Sequence, residues 1–270
     1  MKYWNIGSEG QITIGAMGAS FFAINYYDKM PSWMLLTVMG IAGFVCGALW
    51  SMIPAFFKSK WNTNETLFTL MLNYIAIGIV AYLQGGPWEG KPGSQVIPNF
   101  KPQAVLPKVF NIYCGWIFIL ILVFVMYFYL NFTTHGYQIS VLGDSENTAR
   151  YSGMDVLKIT IRTAAISGSI SGFVGFLLAS GANQTLYSGV ANGVGFTAIT
   201  VAWLGQLNPF AMTMISFILA VLTKGSATLQ TELGVPSSIS GIITGILLLC
   251  LLGSEFFINY RLIPRNRKEQ

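Results

Sequence analysis

Apolar side chains in this chain are gathered into long runs, not spread in the short alternations of a soluble core. Three of them, about Met34–Ile53, Asn111–Leu130 and Ile239–Ile258, come close to the ~20 residues a helix needs to cross a ~30 Å hydrocarbon layer. Two more, about Leu67–Leu83 and Ala164–Ser180, are shorter and uncharged. The segments Ile12–Tyr27, Phe196–Leu204 and Phe210–Thr223 are short or interrupted by glycine, as tilted, broken or re-entrant helices are. The pattern predicts an all-α fold, a polytopic transmembrane helical bundle of about seven or eight hydrophobic segments, forming one transmembrane domain over residues 1–270.

Composition agrees, because 9% charged against 53% hydrophobic residues leaves too few charges for a water-facing surface, which normally draws on about 25%. The cysteines Cys46, Cys114 and Cys250 sit inside apolar runs without metal-ligand spacing and read as small buried hydrophobes. The stretch Lys2–Gln11 is Gly-rich and polar, unlike a cleavable signal, so the helices themselves are expected to carry the insertion information. If every segment crosses once from a cytoplasmic N-terminus, ten basic residues fall in inside loops and five in outside loops. That bias places loops 54–66 and 131–163 and the C-terminal tail in the cytoplasm. The basic cluster Arg261–Lys268 then reads as a topology anchor beside anionic lipid, not a nucleic-acid site.

Candidate chemistry is sparse. Gly85–Lys91 has the spacing of a phosphate-binding loop, yet Pro92 stands where a Ser or Thr should follow and no strand precedes it. The chain is therefore expected to bind no cofactor, metal or nucleotide of its own. His135, the single histidine, has no nucleophile at motif spacing and reads as a solvated loop residue. No chain of carboxylates crosses the spans, which argues against proton coupling. The outer segment Gln84–Lys108, with five prolines, reads as an extended surface loop. Glycine pairs at Gly43–Gly47, Gly168–Gly172 and Gly241–Gly245 predict close helix packing, and the Asn-x-Thr triplets at Asn64, Asn131 and Asn183 receive no glycan.

Two regions carry more information. In Thr134–Lys158, the stretch Gly143-Asp-Ser-Glu-Asn-Thr-Ala-Arg-Tyr-Ser-Gly153 offers Asp144 or Ser145 as an N-cap and Gly153 as a stop. A short cytoplasmic helix is expected there, with Ala149 and Tyr151 suited to a partner's groove. Elsewhere, Asn5, Glu9, Gln11, Asn73, Asn192 and Thr200, with Thr197, place polar groups where lipid would make them expensive. An unsatisfied buried amide costs about 1–3 kcal/mol, so these residues should face partners or a watered path, with Phe196 and Trp203 available as walls. Asn5–Gly18 also aligns without a gap on Asn192–Gly205, sharing Asn, Ile, Thr and the final Gly, as two repeats meeting around a path would.

Asn5-Ile-Gly-Ser-Glu-Gly-Gln11, Asn64-Glu65 with Leu70–Ala76, the Gly143–Gly153 loop, and Gly195–Ile199 with Leu204-Gly205 and Asn208-Pro209 resemble the permeases of simple-sugar and nucleoside ABC importers. The nucleoside branch, paired with a basic-membrane-protein type lipoprotein, looks closest. The resemblance implies a multi-pass protein of the bacterial cell membrane, working with a second permease subunit, ABC ATP-binding subunits that use ATP-Mg, and an extracytoplasmic solute-binding lipoprotein. It makes Gly143, Ser145, Asn147, Ala149, Arg150, Tyr151 and Gly153 a coupling loop toward the ATP-binding subunit. Family members usually have two small residues where Thr148-Ala149 stands and an alanine at Ser152, and membrane helices before the segment matching Asn5–Gln11. The last departure suggests a start placed too late or a shortened paralogue. The expected function is ATP-driven nucleoside uptake by a non-enzymatic subunit, with simple-sugar import, a channel or secondary carrier without ATP, and a non-transporting scaffold as the competing readings.

Overall fold

The structure, a computed structural model, describes residues 3–109 and 111–234 and the isolated positions Ile242, Gly245, Ile246, Leu249, Cys250 and Gly253. The apolar run Ile239–Ile258, the pair Gly241–Gly245 and the basic tail Arg261–Lys268 therefore lie outside the described residues or nearly so. Nine helices are described: α1 Ser8–Asn25, α2 Ser32–Trp61, α3 Glu65–Gln84, α4 Gly115–Phe132, α5 Thr134–Asp144, α6 Glu146–Tyr151, α7 Val156–Leu177, α8 Val194–Leu204 and α9 Pro209–Leu233. A two-residue hairpin, β1 Lys108–Val109 with β2 Ile112–Tyr113, is the sole strand pair among them. The all-helical reading holds.

Among the described residues, five helical segments are long and apolar enough to cross a membrane, namely α2, α3, α4, α7 with its continuation to Asn183, and α9 up to Glu232. On α4 no residue is buried, and Phe118, Phe124, Phe128 and Phe132 point outward. Such a surface is stable only where the solvent is hydrocarbon. Thr37 Oγ1 donates to Trp33 O at 2.7 Å and Thr163 Oγ1 to Ile159 O at 2.8 Å, so these two span hydroxyls are satisfied by their own helices.

Two boundaries differ from the hydrophobic pattern. The run ending at Ile53 continues as helix through a buried Pro54 to Trp61, although proline removes one intrahelical donor. The run beginning at Asn111 starts as helix only at Gly115. Asn111 instead occupies the left-handed region at φ 62° in the hairpin turn, which asparagine tolerates better than most residues.

The chain forms two compact units, residues 1–196 and 197–270. In the first, α1 is enclosed: Ala16, Ala19 and Ala23 are buried, and it packs on α2, α3 and α7. α1, α2 and α7 meet backbone to backbone. A methyl on Gly15 would overlap Gly172, and one on Gly47 would overlap Gly168 O and stand 2.7 Å from Gly172 Cα. Ser51 Oγ donates to Ala164 O at 2.7 Å across the same seam. The glycine spacings at Gly43–Gly47 and Gly168–Gly172 thus serve packing, as small residues do where no water drives helices together.

The segment 85–114 is folded onto the bundle. Ile97, Phe100, Ala104 and Leu106 are buried, Phe100 N–H donates to Gln184 O at 2.7 Å, and Leu106 N–H to Ser180 O at 3.1 Å. Its Pro102–Ala104 turn and hairpin supply internal structure, so it is a cap and not the extended loop its prolines suggest. Ser180 belongs to a π-turn, Leu178–Asn183, that ends α7, a wide turn often found where a helix is interrupted for a purpose.

The second unit contains most of α8 and α9. The turn between them places Gln206 and Leu207 at φ 48° and 59°. Asn208 Oδ1 then accepts from Phe210 N at 3.0 Å, with Pro209 at the first helical position, the residue order that starts a helix well.

Candidate functional site

The start of α1 lies inside the bundle, where its free N–H groups have no water to meet. Other helices supply the acceptors. Gly10 N–H donates to Asn73 Oδ1 at 2.8 Å, while Asn73 Nδ2 donates to Ile6 O at 2.8 Å. Thr69 Oγ1 accepts from Ile6 N at 3.2 Å. Asn5 Oδ1 accepts from Gly7 N at 2.9 Å and exchanges longer bonds with Gln11. Asn73 stands eight residues into α3, about 12 Å along its axis, so this polar knot is well below the helix end.

Glu9 joins the knot to a distant part of the chain. After the π-turn, the segment from Gln184 carries irregular backbone through the bundle, with Leu186, Val190 and Ala191 buried. Ser188 N–H meets Gln84 Oε1 at 3.0 Å, at the far end of α3. The segment closes on Asn192 and Gly193 at φ 47° and 77°, and α8 begins. There Gly193 N–H donates to Glu9 Oε1 at 2.7 Å and Gly195 N–H to Glu9 Oε2 at 2.8 Å. The carboxylate is 6% exposed and sits within the first turns of two helices, whose N-terminal partial charges favour an anion. Irregular backbone at membrane depth survives only inside protein or beside a watered cavity.

The structure therefore brings Asn5, Glu9, Gln11 and Asn73 together and sets the Asn192–Gly195 entry against them. The two stretches aligned in the sequence, Asn5–Gly18 and Asn192–Gly205, meet at their polar ends. Asn192 and Phe196 are exposed, while Thr200 lies farther along α8, in the second unit. Thr69 and Gly193 were not singled out by sequence. Thr69 looks like any helical threonine, and its signal, a hydroxyl one turn before Asn73, is visible only once α1 is docked.

The expected short helix is present as α6. Ser145 Oγ accepts from Thr148 N at 3.3 Å at its start. At its end Gly153, φ 74°, donates to Arg150 O at 3.0 Å and Met154 N–H donates to Ala149 O at 3.0 Å, the paired bonds that close a helix on glycine. Gly143 and Asp144 belong to a further helix, α5, which the loop composition did not announce. Ala149 is buried against Leu142 and Ile159, so it faces its own chain; the outward face carries Asn147, Arg150 paired with Glu146 at 2.7 Å, and Tyr151 at 92% exposure. A cleft of about 990 Å³ separates α6 from Tyr3 and from Lys58 and Asn62 at the end of α2. The end of α2 and the segment carrying α6 thus share one end of the unit.

His135 departs from expectation. It is buried in α5 with Nδ1 bonded to Tyr129 OH, and burial, followed by the Arg162 charge, holds its imidazole below the usual histidine range. A depressed folded value favours the neutral ring, so its contribution to stability is whole above the ordinary value of about 6.5 and is lost as pH falls through the lower folded one. Thermal melting from pH 7.5 to 5.5 should then fall further for the wild type than for His135→Asn; equal losses would show that the ring charges freely.

A model of the branched-chain amino acid transport system permease component matches residues 1–252. The chain belongs to that family. Among relatives, a glucose ABC transporter permease protein of Haloferax volcanii is 29% identical over 96% of this chain and 71% of its own length. A guanosine ABC transporter permease protein of Bacillus subtilis is 27% identical over 93% and 74%. A nucleoside ABC transporter permease protein of Lactococcus lactis subsp. cremoris is 24% identical over 89% and 69%. The likeness of this permease to those of simple-sugar and nucleoside ABC importers is borne out, although the glucose protein matches at least as well as the guanosine one. No solved structure matches.

Proposed function

We propose that this permease is the membrane-spanning subunit of an ATP-driven importer in the cell membrane and that its solute is a nucleoside. The observation that carries the importer reading is α6, a helix capped at both ends whose exposed face ends in Tyr151, set on the end that the basic residues assign to the cytoplasm. An ABC ATP-binding subunit docks there and supplies the ATP-Mg chemistry, for which this chain carries no loop. A second permease subunit and a solute-binding lipoprotein complete the system. Transport then requires that ATP bind the inward- and outward-facing states unequally.

Nucleosides are favoured by the named guanosine and nucleoside relatives. Simple sugars are the second reading, because the glucose permease is 29% identical over nearly the whole chain. Vesicles holding the complete assembly should take up labelled guanosine and adenosine with ATP and not without it. Uptake of ribose or glucose alone would replace the solute, and equal uptake without ATP would remove the permease from the importers in favour of a channel or carrier.

A further inference from the structure

A carboxylate buried among membrane helices is expensive, and in a transport path it invites assignment as a solute ligand. The geometry of Glu9 leaves little of it to offer. One oxygen takes the N–H of Gly193 at 2.7 Å and the other that of Gly195 at 2.8 Å, so each oxygen already holds a charge-assisted bond. From the opposite side, Gly195 has no room for a side chain: a methyl there would overlap Glu9 N and lie 2.7 Å from Glu9 Cα. Glutamate at one end and glycine at the other are thus fitted to each other across 186 residues of chain.

The backbone that this carboxylate holds is irregular. Asn192 and Gly193 are both left-handed and the preceding segment is irregular; Val194 and Phe196 N–H turn to Ala191 O and Gly193 O, while those of Gly193 and Gly195 converge on Glu9. Without Glu9 the Gly193 and Gly195 N–H groups would lose the carboxylate on which they converge. The same residue is anchored from behind, since Gly10, the next residue, donates to Asn73 and Thr13 Oγ1 donates to Glu9 O at 2.8 Å.

Resting on the permease reading, we infer that Glu9 is a positioning residue for transport: it clamps the start of α8 to the start of α1 and fixes the wall of the solute path without touching the solute. A ligand of the solute would set affinity. A clamp sets the rate at which a correctly bound solute is passed on, and the uptake obtained per ATP hydrolysed.

The test uses the assembled transporter in vesicles with labelled guanosine, adenosine and ribose as probes, and the variants Glu9→Gln and Gly195→Ala. Glu9→Gln keeps the shape but supplies one acceptor where two are needed, and Gly195→Ala pushes the clamp apart from the other side. For both, maximal uptake should fall about tenfold, as loss of a buried charge-assisted bond allows, while the solute KM stays within about twofold and ATP hydrolysis persists. The double variant should be no worse than the worse single one, because the two lesions remove one contact. Independently of transport, amide hydrogen exchange in the detergent-purified chain should accelerate over residues 190–197 in Glu9→Gln and stay unchanged over α5 and α6. A raised KM at full maximal uptake would make Glu9 a solute ligand and overturn the clamp. Unchanged exchange at 190–197 would overturn it too. If the wild-type assembly imports none of the three probes, the importer reading loses its support, and the exchange result still decides the clamp.

Discussion

Gly172→Ala should prevent this permease from reaching its folded state. In α7 the added methyl would overlap the carbonyl oxygen of Gly43 and stand 2.8 Å from Gly47 Cα. Both obstacles are backbone atoms of α2, so no rotamer change relieves them. Ordinary overpacking costs about 1–3 kcal/mol when side chains yield; here α2 or α7 must move as a rod, and α1 with them, because Gly15 rests on the same glycine. Loss of monodisperse protein after extraction, or a drop in melting temperature beyond 10 °C or so for a chain this size, is the expected result. Gly78→Ala in α3 is the control, since a methyl there meets nothing within 4 Å and should stabilise the helix by up to about 1 kcal/mol. Equal behaviour of the two variants would refute the backbone contact.

Sequence revealed this seam only in part. Gly43–Gly47 and Gly168–Gly172 could be seen as two sticky faces, because small residues four apart need only helical geometry to line up. Which faces touch, and that Gly15 of α1 enters between them, is a tertiary fact with no local mark. The helices themselves followed from hydrophobic runs, whereas their ends failed where tertiary contacts overrode the local signal, at Pro54 inside α2 and at Asn111 before α4.

The polar knot shows the same division. Asn5, Glu9, Gln11 and Asn73 stood out because lipid penalises them, and this one argument found the residues that the fold brings together. It was silent on whether they serve a solute or one another, since both uses satisfy the same desolvation cost. Glu9 and Gly195 become a pair only when two helix starts converge. His135 was misjudged for a related reason: a loop rich in polar residues looks solvated until α5 folds and buries the ring beside Tyr129.

On the importer reading proposed above, replacing Tyr151 by glutamate should uncouple this permease from an ATP-binding partner while leaving the chain folded. Tyr151 closes α6 with 92% of its surface exposed, and its neighbours Arg150 and Glu146 satisfy each other at 2.7 Å, so the ring is the feature of that face with no stabilising role in its own chain. An exposed tyrosine on a rigid, doubly capped helix is the kind of anchor that fills a partner pocket, and its loss typically costs at least 2 kcal/mol or so, about a thirtyfold weakening. Ala149→Glu, at the other position whose residue suits a partner's groove by sequence, acts differently: Ala149 is buried against Leu142 and Ile159, and a charge there would break the packing of α6 on α5 and α7. The two variants therefore separate docking from folding. Co-purification with the ATP-binding subunit and solute-stimulated ATP hydrolysis should both fall for Tyr151→Glu while its melting temperature stays at the wild-type value; for Ala149→Glu all three should fall together. Wild-type co-purification and hydrolysis with Tyr151→Glu would mean that the partner docks elsewhere and that α6 is not the lever.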